Sequence, residues 1–289
     1  MNFKDAIEIL RPINALMGGL SVIIGILNTR IGIDLYNLIF NIIFGVLTYF
    51  FIAGSSMVIN DYYDIEIDKI NRPERPIPRG SITLKQAKIL WITTILIGII
   101  FSALHSLLFN IGYLNIITVV IMAFIGWLYA AWGKKIGFIG NIIVGISFSI
   151  GLIYGAILNN SGIPPYIYYF FLTSSLLLIS REIIKGCEDV EGDRKEGVKT
   201  LAIRIGIKKS TKIAMIFGIT AIVFFVLPYF TVINQLLFLI SMVFGIAVVI
   251  FAVILMLKND PQIKDFKKIS LFLKIGGFLG LIAFLLASF

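Results

Sequence analysis

Charge is scarce in this sequence. Only 14% of its 289 residues are Asp, Glu, Lys or Arg, 58% are hydrophobic, and the mean hydropathy is +0.98. A soluble domain of this size needs a far more polar surface, so the bulk solvent must be lipid. Cysteine is nearly absent. Cys187 stands alone, which excludes an intrachain disulfide, and it falls in a polar stretch where it reads as incidental. Histidine is as rare: His105 is the only one, placed at the far end of an apolar run, and reads as an interfacial residue rather than a catalyst. No Ser/Pro-rich linker, low-complexity tract or nucleic-acid module is seen, and no cleavable signal peptide stands out.

What is abundant is long apolar runs. A spanning helix needs about 20 apolar residues. Nine runs qualify, at 13–29, 38–60, 87–108, 113–131, 138–158, 166–185, 212–230, 234–257 and 270–288. The predicted class is an all-α, polytopic membrane protein, with one integral-membrane domain over residues 1–289. Met1 to Arg11, with Lys4, Asp5, Glu8 and Arg11, reads as a short interfacial helix.

The cations set the orientation. They sit at the N-terminus (Lys4, Arg11) and after spans two, four, six and eight, for example Arg72, Lys134, Arg194 and Lys264. Of the 25 Lys and Arg residues only Arg30 lies on the opposite side. This asymmetry predicts a multi-pass protein of the cell membrane with its N-terminus inside. The net charge of +9 is then topology signal and lipid-headgroup contact.

Most of the 16 acidic residues fall in two segments. Asn60, Asp64 and Asp68 follow i, i+4, i+8 spacing, with Asp61 beside them. Lys185, Asp189 and Asp193 repeat that spacing. On a helix each series shares one face. Gly186 and Gly192 weaken the second helix and predict an irregular last turn. An aligned row of carboxylates repels itself, and a central Asp in a spanning helix costs about 2.5–3.5 kcal/mol on insertion scales. A divalent cation removes the repulsion. Carboxylates with an Asn carbonyl suit magnesium, which shares its shell readily with phosphate oxygens. Neighbouring Arg and Lys suit the remaining phosphate charge. The plainer alternative is solvated loop carboxylates paired with nearby cations; two clusters of one spacing at one membrane face argue against it.

The first motif, continued by Asn71-Arg72-Pro73-Glu74-Arg75-Pro76-Ile77-Pro78-Arg79-Gly80, resembles the UbiA superfamily of intramembrane prenyltransferases. The second, with Lys199-Thr200-Leu201 after it, resembles that family's second motif, and Tyr129, Lys134, Lys135 and Gly140-Asn141 resemble the stretch between spans four and five. The likeness covers nearly the whole chain. It implies nine helices around a central cavity with cytosolic cap loops, the segments 69–84 and 186–210 being the candidates. Arg181-Glu182, Lys185 and the run from Glu188 to Asp193 look most like those members that move a geranylgeranyl group from geranylgeranyl diphosphate to geranylgeranylglyceryl phosphate in archaeal ether-lipid synthesis. Arg79 departs from the pattern, which has a small residue there.

The resemblance also implies roles. Asn60, Asp61, Asp64, Asp68, Asp189 and Asp193 would hold two magnesium ions, with Asp64, Asp68, Asp189 and Tyr129 in the catalytic group. Arg72, Lys135 and Lys185 would meet the diphosphate, with Lys134 and Arg79 near it. Arg11 and Asn14 would meet the acceptor phosphate; a snorkelling arginine and a helix cap explain them equally well. The base for the acceptor hydroxyl is left open among Asp64, Asp68 and the departing diphosphate. The expected partners are the two prenyl substrates and membrane lipids, with no protein or nucleic acid. An aromatic or tetrapyrrole acceptor is the nearest rival. An ion-coupled transporter is the remote one, because the acids lie at one face and interrupted helices are not evident.

Overall fold

The computed structural model describes residues 2–159, 162–195, 199–231, 233, 235–259 and 261–289, apart from the side chains of Lys134, Lys135 and Lys195. Among the described residues the regular structure is entirely helical. Chain chemistry accounts for the helix ends. The Asn2 side chain accepts from the Asp5 N–H at 2.8 Å and starts α1 (Phe3–Leu10). Arg11 ends it in the left-handed region (φ 48°), and Pro12 opens α2 (Pro12–Asn28) as its first residue. The two helices meet at a 48° bend. Asp34 caps α3 (Leu35–Tyr63), which runs into the short α4 (Ile65–Asn71). A reciprocal Thr83–Gln86 capping box opens α5 (Leu84–Phe109). Then follow α6 (Leu114–Ala131), α7 (Phe138–Ile157), α8 (Pro165–Glu188), α9 (Val190–Lys195), α10 (Leu201–Ile205), α11 (Ile207–Val226), α12 (Leu236–Met256) and α13 (Ile263–Leu286).

Among the described residues eight helices are long and apolar enough to cross a membrane, and the bent pair α1–α2 makes a ninth if counted as one span. The largest boundary difference is α13, which starts at Ile263 rather than near 270. Gln262 and Asp265 form a capping box there, while Lys264, Lys267 and Lys268 depress hydropathy without breaking the helix.

The chain divides into two compact units. One comprises Met1–Trp132 and Ile150–Gly162; the other comprises Gly133–Ser149 and Ile163–Phe289. In the first, α3 packs against α2, α5 and α6. Its core includes Val22, Tyr49, Ile52, Val119, Tyr154 and Leu158. The α2 and α7 backbones touch. A Cβ on Gly25 would lie 2.2 Å from the Leu152 carbonyl oxygen, and one on Gly155 would lie 2.1 Å from that of Val22. Small residues permit such approach in lipid, where apolar side chains gain nothing by leaving the solvent. His105 is not interfacial. It is buried and hydrogen-bonded to Asn41, because a polar ring inside an apolar bundle needs a partner.

In the second unit α8 packs against α11 and α13, and α12 against α13. The core includes Leu177, Ile183, Ala214, Val249, Phe266 and Leu273. Cys187 belongs to it too, at 1% exposure, so it is not a loop cysteine. The run of α8 carries it inward between polar neighbours on the other face.

Candidate functional site

The first acidic cluster is built on the end of α3. The helix breaks at Asp64 (φ −91°, ψ 4°), yet the i to i−4 ladder continues. Asp64 N–H donates to Asn60 O at 3.0 Å, Asp68 N–H to Asp64 O at 2.8 Å, and Arg72 N–H to Asp68 O at 2.8 Å. The expected face therefore survives an interruption that the spacing does not announce. Asp61, Asp64 and Asp68 are 1%, 6% and 4% exposed. Asn60 donates from Nδ2 to Asp64 Oδ2 at 2.8 Å.

Buried carboxylates need counter-charge, and arginines supply it. The sequence reading places Asp61 among metal ligands; its Oδ1 instead accepts from Arg11 Nη2 and, at 3.2 Å, from Arg75 Nη1. The same Arg75 nitrogen reaches Asp68 Oδ2 at 2.5 Å. Arg11 also points Nη1 at Met57 Sδ, 3.7 Å away. Arg75 is the counter-charge of this cluster that the spacing of the motif did not single out. Its signal was its place in the Pro-Glu-Arg-Pro turn, seven residues after Asp68.

The segment between α4 and α5 is tied down. Ile77 and Ile82 pack with Ile9, Leu10, Val58 and Ala87. Arg79, read as a phosphate contact, spends its guanidinium elsewhere. It donates to Asp5 at 2.5 Å, to Glu8 at 2.9 and 3.0 Å, to Ser81 Oγ at 3.0 Å and to Glu74 O at 2.8 Å. Its bonds to Glu8, then Asp5, raise its pKa above the ordinary arginine value. Gly80, at φ 80°, then turns the chain so that its N–H reaches Ile77 O at 3.0 Å.

The second cluster repeats the backbone plan. α8 breaks at Asp189 (φ −96°, ψ 8°), as the two glycines predict, and Asp189 N–H and Asp193 N–H donate to Lys185 O and Asp189 O, both at 2.9 Å. Its side chains are more open: Asp189 is exposed and Asp193 half-buried. Glu182 accepts from Arg181 Nη1 at 2.8 Å, with Lys185 Nζ 4.0 Å away. Arg181 Nε is buried without a hydrogen-bond partner.

Among the described residues no three His, Cys, Asp or Glu side chains form a closed metal cage. That agrees with magnesium chemistry, in which one or two carboxylates hold an ion that completes its shell with water and substrate phosphate. The donor set, hard oxygens of Asp64, Asp68 and Asn60, fits that ion, and the orphaned Arg181 donor fits an anion. Arg72, at the end of α4, and Asn14, in the first turn of α2, are exposed; Tyr129 is half-buried on α6. The side chains of Lys134 and Lys135 lie outside the described residues.

Comparison with known proteins shows what the whole chain is similar to. The chain is 36% identical over 282 residues to a digeranylgeranylglyceryl phosphate synthase of Methanosphaera stadtmanae, covering 98% of each chain. It is 37% identical to that of Saccharolobus solfataricus, over 100% of this chain and 98% of the relative. A solved structure of digeranylgeranylglyceryl phosphate synthase in membranes superposes with a TM-score of 0.85 at 33% identity, over 99% of this chain and 98% of the other. A UbiA homolog from Archaeoglobus fulgidus, bound to GPP and Mg2+, shares the fold at a TM-score of 0.71 and 16% identity, over 97% and 99%. Residues 20–285 match the sequence profile of the UbiA prenyltransferase family. The match takes in both acidic helix ends, the arginines of the α4–α5 segment and the helices from α3 through α12, and the chain belongs to that family.

Proposed function

We propose that this prenyltransferase moves the geranylgeranyl group of geranylgeranyl diphosphate to geranylgeranylglyceryl phosphate, releasing diphosphate. The observation that carries the reading is near-complete coverage at 36–37% identity of relatives bearing that activity in their names. The allylic C1–O bond of the donor breaks, the acceptor's free glycerol hydroxyl bonds to C1, and its proton leaves.

When bound, magnesium (two ions in this reading) would supply Lewis-acid and electrostatic stabilisation of the departing diphosphate. Asn60, Asp64 and Asp68 on one helix end, and Asp189 and Asp193 on the other, are the proposed ligands. Arg72, Lys185, Lys134 and Lys135 are proposed to hold the diphosphate charge, and Tyr129 to donate to it or face the developing allylic cation. Asp61 has a different task, to fix Arg11 and Arg75 beside the donor face. Arg11, with Asn14 near it, is the proposed contact for the acceptor phosphate. Burial of the three aspartates supports this division, since low-dielectric surroundings strengthen each of these interactions. The cation asymmetry supports a cytosolic active site with the N-terminus inside.

The test is direct. Purified protein in detergent is given labelled geranylgeranyl diphosphate and geranylgeranylglyceryl phosphate, with magnesium and then with EDTA. A diether product that EDTA abolishes is expected. Diphosphate binding without that product would remove the acceptor and move the search to aromatic ones; a product insensitive to EDTA would remove the metal.

A further inference from the structure

The second unit holds a basic cleft beside the end of α8, where Thr211 of its lining lies 4.0 Å from the Cys187 sulfur. α11 begins, α12 ends and α13 begins around it, and it encloses about 640 Å³. Met215, Met256 and Leu257 give it an apolar lining. Lys208 and Lys212, one turn apart on α11, line it together with Lys258.

Among the described residues the charges there are not balanced. Lys258 donates to Asp265 at 2.7 Å, and Asp265 also accepts from the Gln262 N–H at 2.8 Å as part of the α13 cap. That carboxylate is consumed. Lys208 and Lys212 are exposed and have no partner among the described residues, and no described acid lines the cleft. Asp260, in the same loop, lies outside the described residues. Like charges at i, i+4 repel and destabilise a helix. The α11 N-terminus adds to the positive field, since Gly206 gives it no side-chain cap.

A topology signal alone requires lysines on a surface, not lysines around an apolar-floored hollow. The cleft lies at the ends of helices long and apolar enough to cross a membrane, and the ends of such helices meet the headgroup layer. We infer that it binds the phosphate-bearing headgroup of an anionic membrane lipid, Lys208 and Lys212 holding the phosphate and Met215 and Met256 receiving the start of the tail. Free phosphate offers the same charge but leaves the apolar floor unused.

Native mass spectrometry of the full chain tests this, with phosphatidylglycerol, phosphatidylcholine of equal chain length, or inorganic phosphate as the probe. Wild type should retain phosphatidylglycerol in preference to phosphatidylcholine, and excess phosphate should not displace it. The Lys208→Gln/Lys212→Gln double variant should bind it about thirtyfold more weakly, the effect of two interfacial lysines. Lys264→Gln/Lys267→Gln, outside the cleft lining, should bind as wild type. Equal losses in the two double variants, or equal retention of both lipids, would overturn the site. Displacement by inorganic phosphate would overturn the lipid as its occupant. Both pairs of lysines are exposed, so the variants should fold, and an unchanged melting temperature checks it.

Discussion

Asp64 and Asp189 hold the same backbone conformation, at φ −91°, ψ 4° and φ −96°, ψ 8°, each between a long apolar helix and a short one. This bridge region is sparsely populated and frequent at active sites. Each aspartate still passes its N–H to the carbonyl four residues back, at 3.0 and 2.9 Å. The helix is thus interrupted without losing register. Asn60, Asp64 and Asp68 stay in one row, as do Lys185, Asp189 and Asp193.

From that parallel, Asp64→Ala and Asp189→Ala should each lower turnover by at least about a hundredfold, the usual cost of removing an electrostatic stabiliser of the transition state. Membrane insertion and melting temperature should hold. Magnesium-dependent binding of labelled diphosphate should fall with turnover in both variants. Full activity in either would remove that residue from the metal site.

The spans were legible because lipid demands long apolar runs whatever the tertiary packing. The rows of Asn60, Asp64, Asp68 and Lys185, Asp189, Asp193 were legible because spacing alone places them on one face. What lay hidden was pairing across the chain. Asp61 meets Arg11 from 50 residues away, and Arg79 meets Asp5 from 74. No local rule separates an arginine that waits for phosphate from one already committed to carboxylates. Cys187 was misplaced for a related reason: a polar neighbourhood in sequence says nothing of which face a helix turns inward.

Asp61 is the next test. Its carboxylate is 2% exposed and serves two guanidiniums. Removing one partner of such a buried pair typically costs about 3–5 kcal/mol, because it strands the other charge. Asp61→Asn should lower stability on that order, read as a melting shift in detergent. Magnesium affinity should change little, whereas the KM for the acceptor should rise as Arg11 loses its anchor. A large loss of magnesium affinity with acceptor KM unchanged would restore Asp61 to the ligand set.

Arg79 is tested in the same way. Its bonds to Asp5 and Glu8 fasten α1 to the α4–α5 segment. The Glu8 pair is exposed and contributes little to stability, but the Asp5 carboxylate is 8% exposed and is left without its cation when Arg79 is removed. Arg79→Ala should therefore lower stability by about 1–3 kcal/mol and speed amide hydrogen exchange across residues 72–83. Donor KM should be unaffected. A rise in donor KM without faster exchange would make Arg79 a phosphate contact after all.

His105 closes a buried polar chain through the first unit. Its Nε2 bonds Asn41 Oδ1 at 2.8 Å, Asn41 Nδ2 donates to Asn159 Oδ1 at 2.8 Å, and Asn159 Nδ2 donates to Thr29 Oγ1 and Ile26 O, both at 2.8 Å. Since the Asn41 amide is already donating, its oxygen must accept, which puts the imidazole proton on Nε2. The ring also stacks on Phe44, with centroids 5.3 Å apart. His105→Phe keeps that stacking and strands the Asn41 oxygen, so it should cost about 1–3 kcal/mol. Asn41→Leu, which strands groups on both sides, should cost at least as much. Turnover per folded molecule should stay at the wild-type level in both. If His105→Phe melts like wild type yet loses turnover, the histidine acts in catalysis and the chain is not a structural brace.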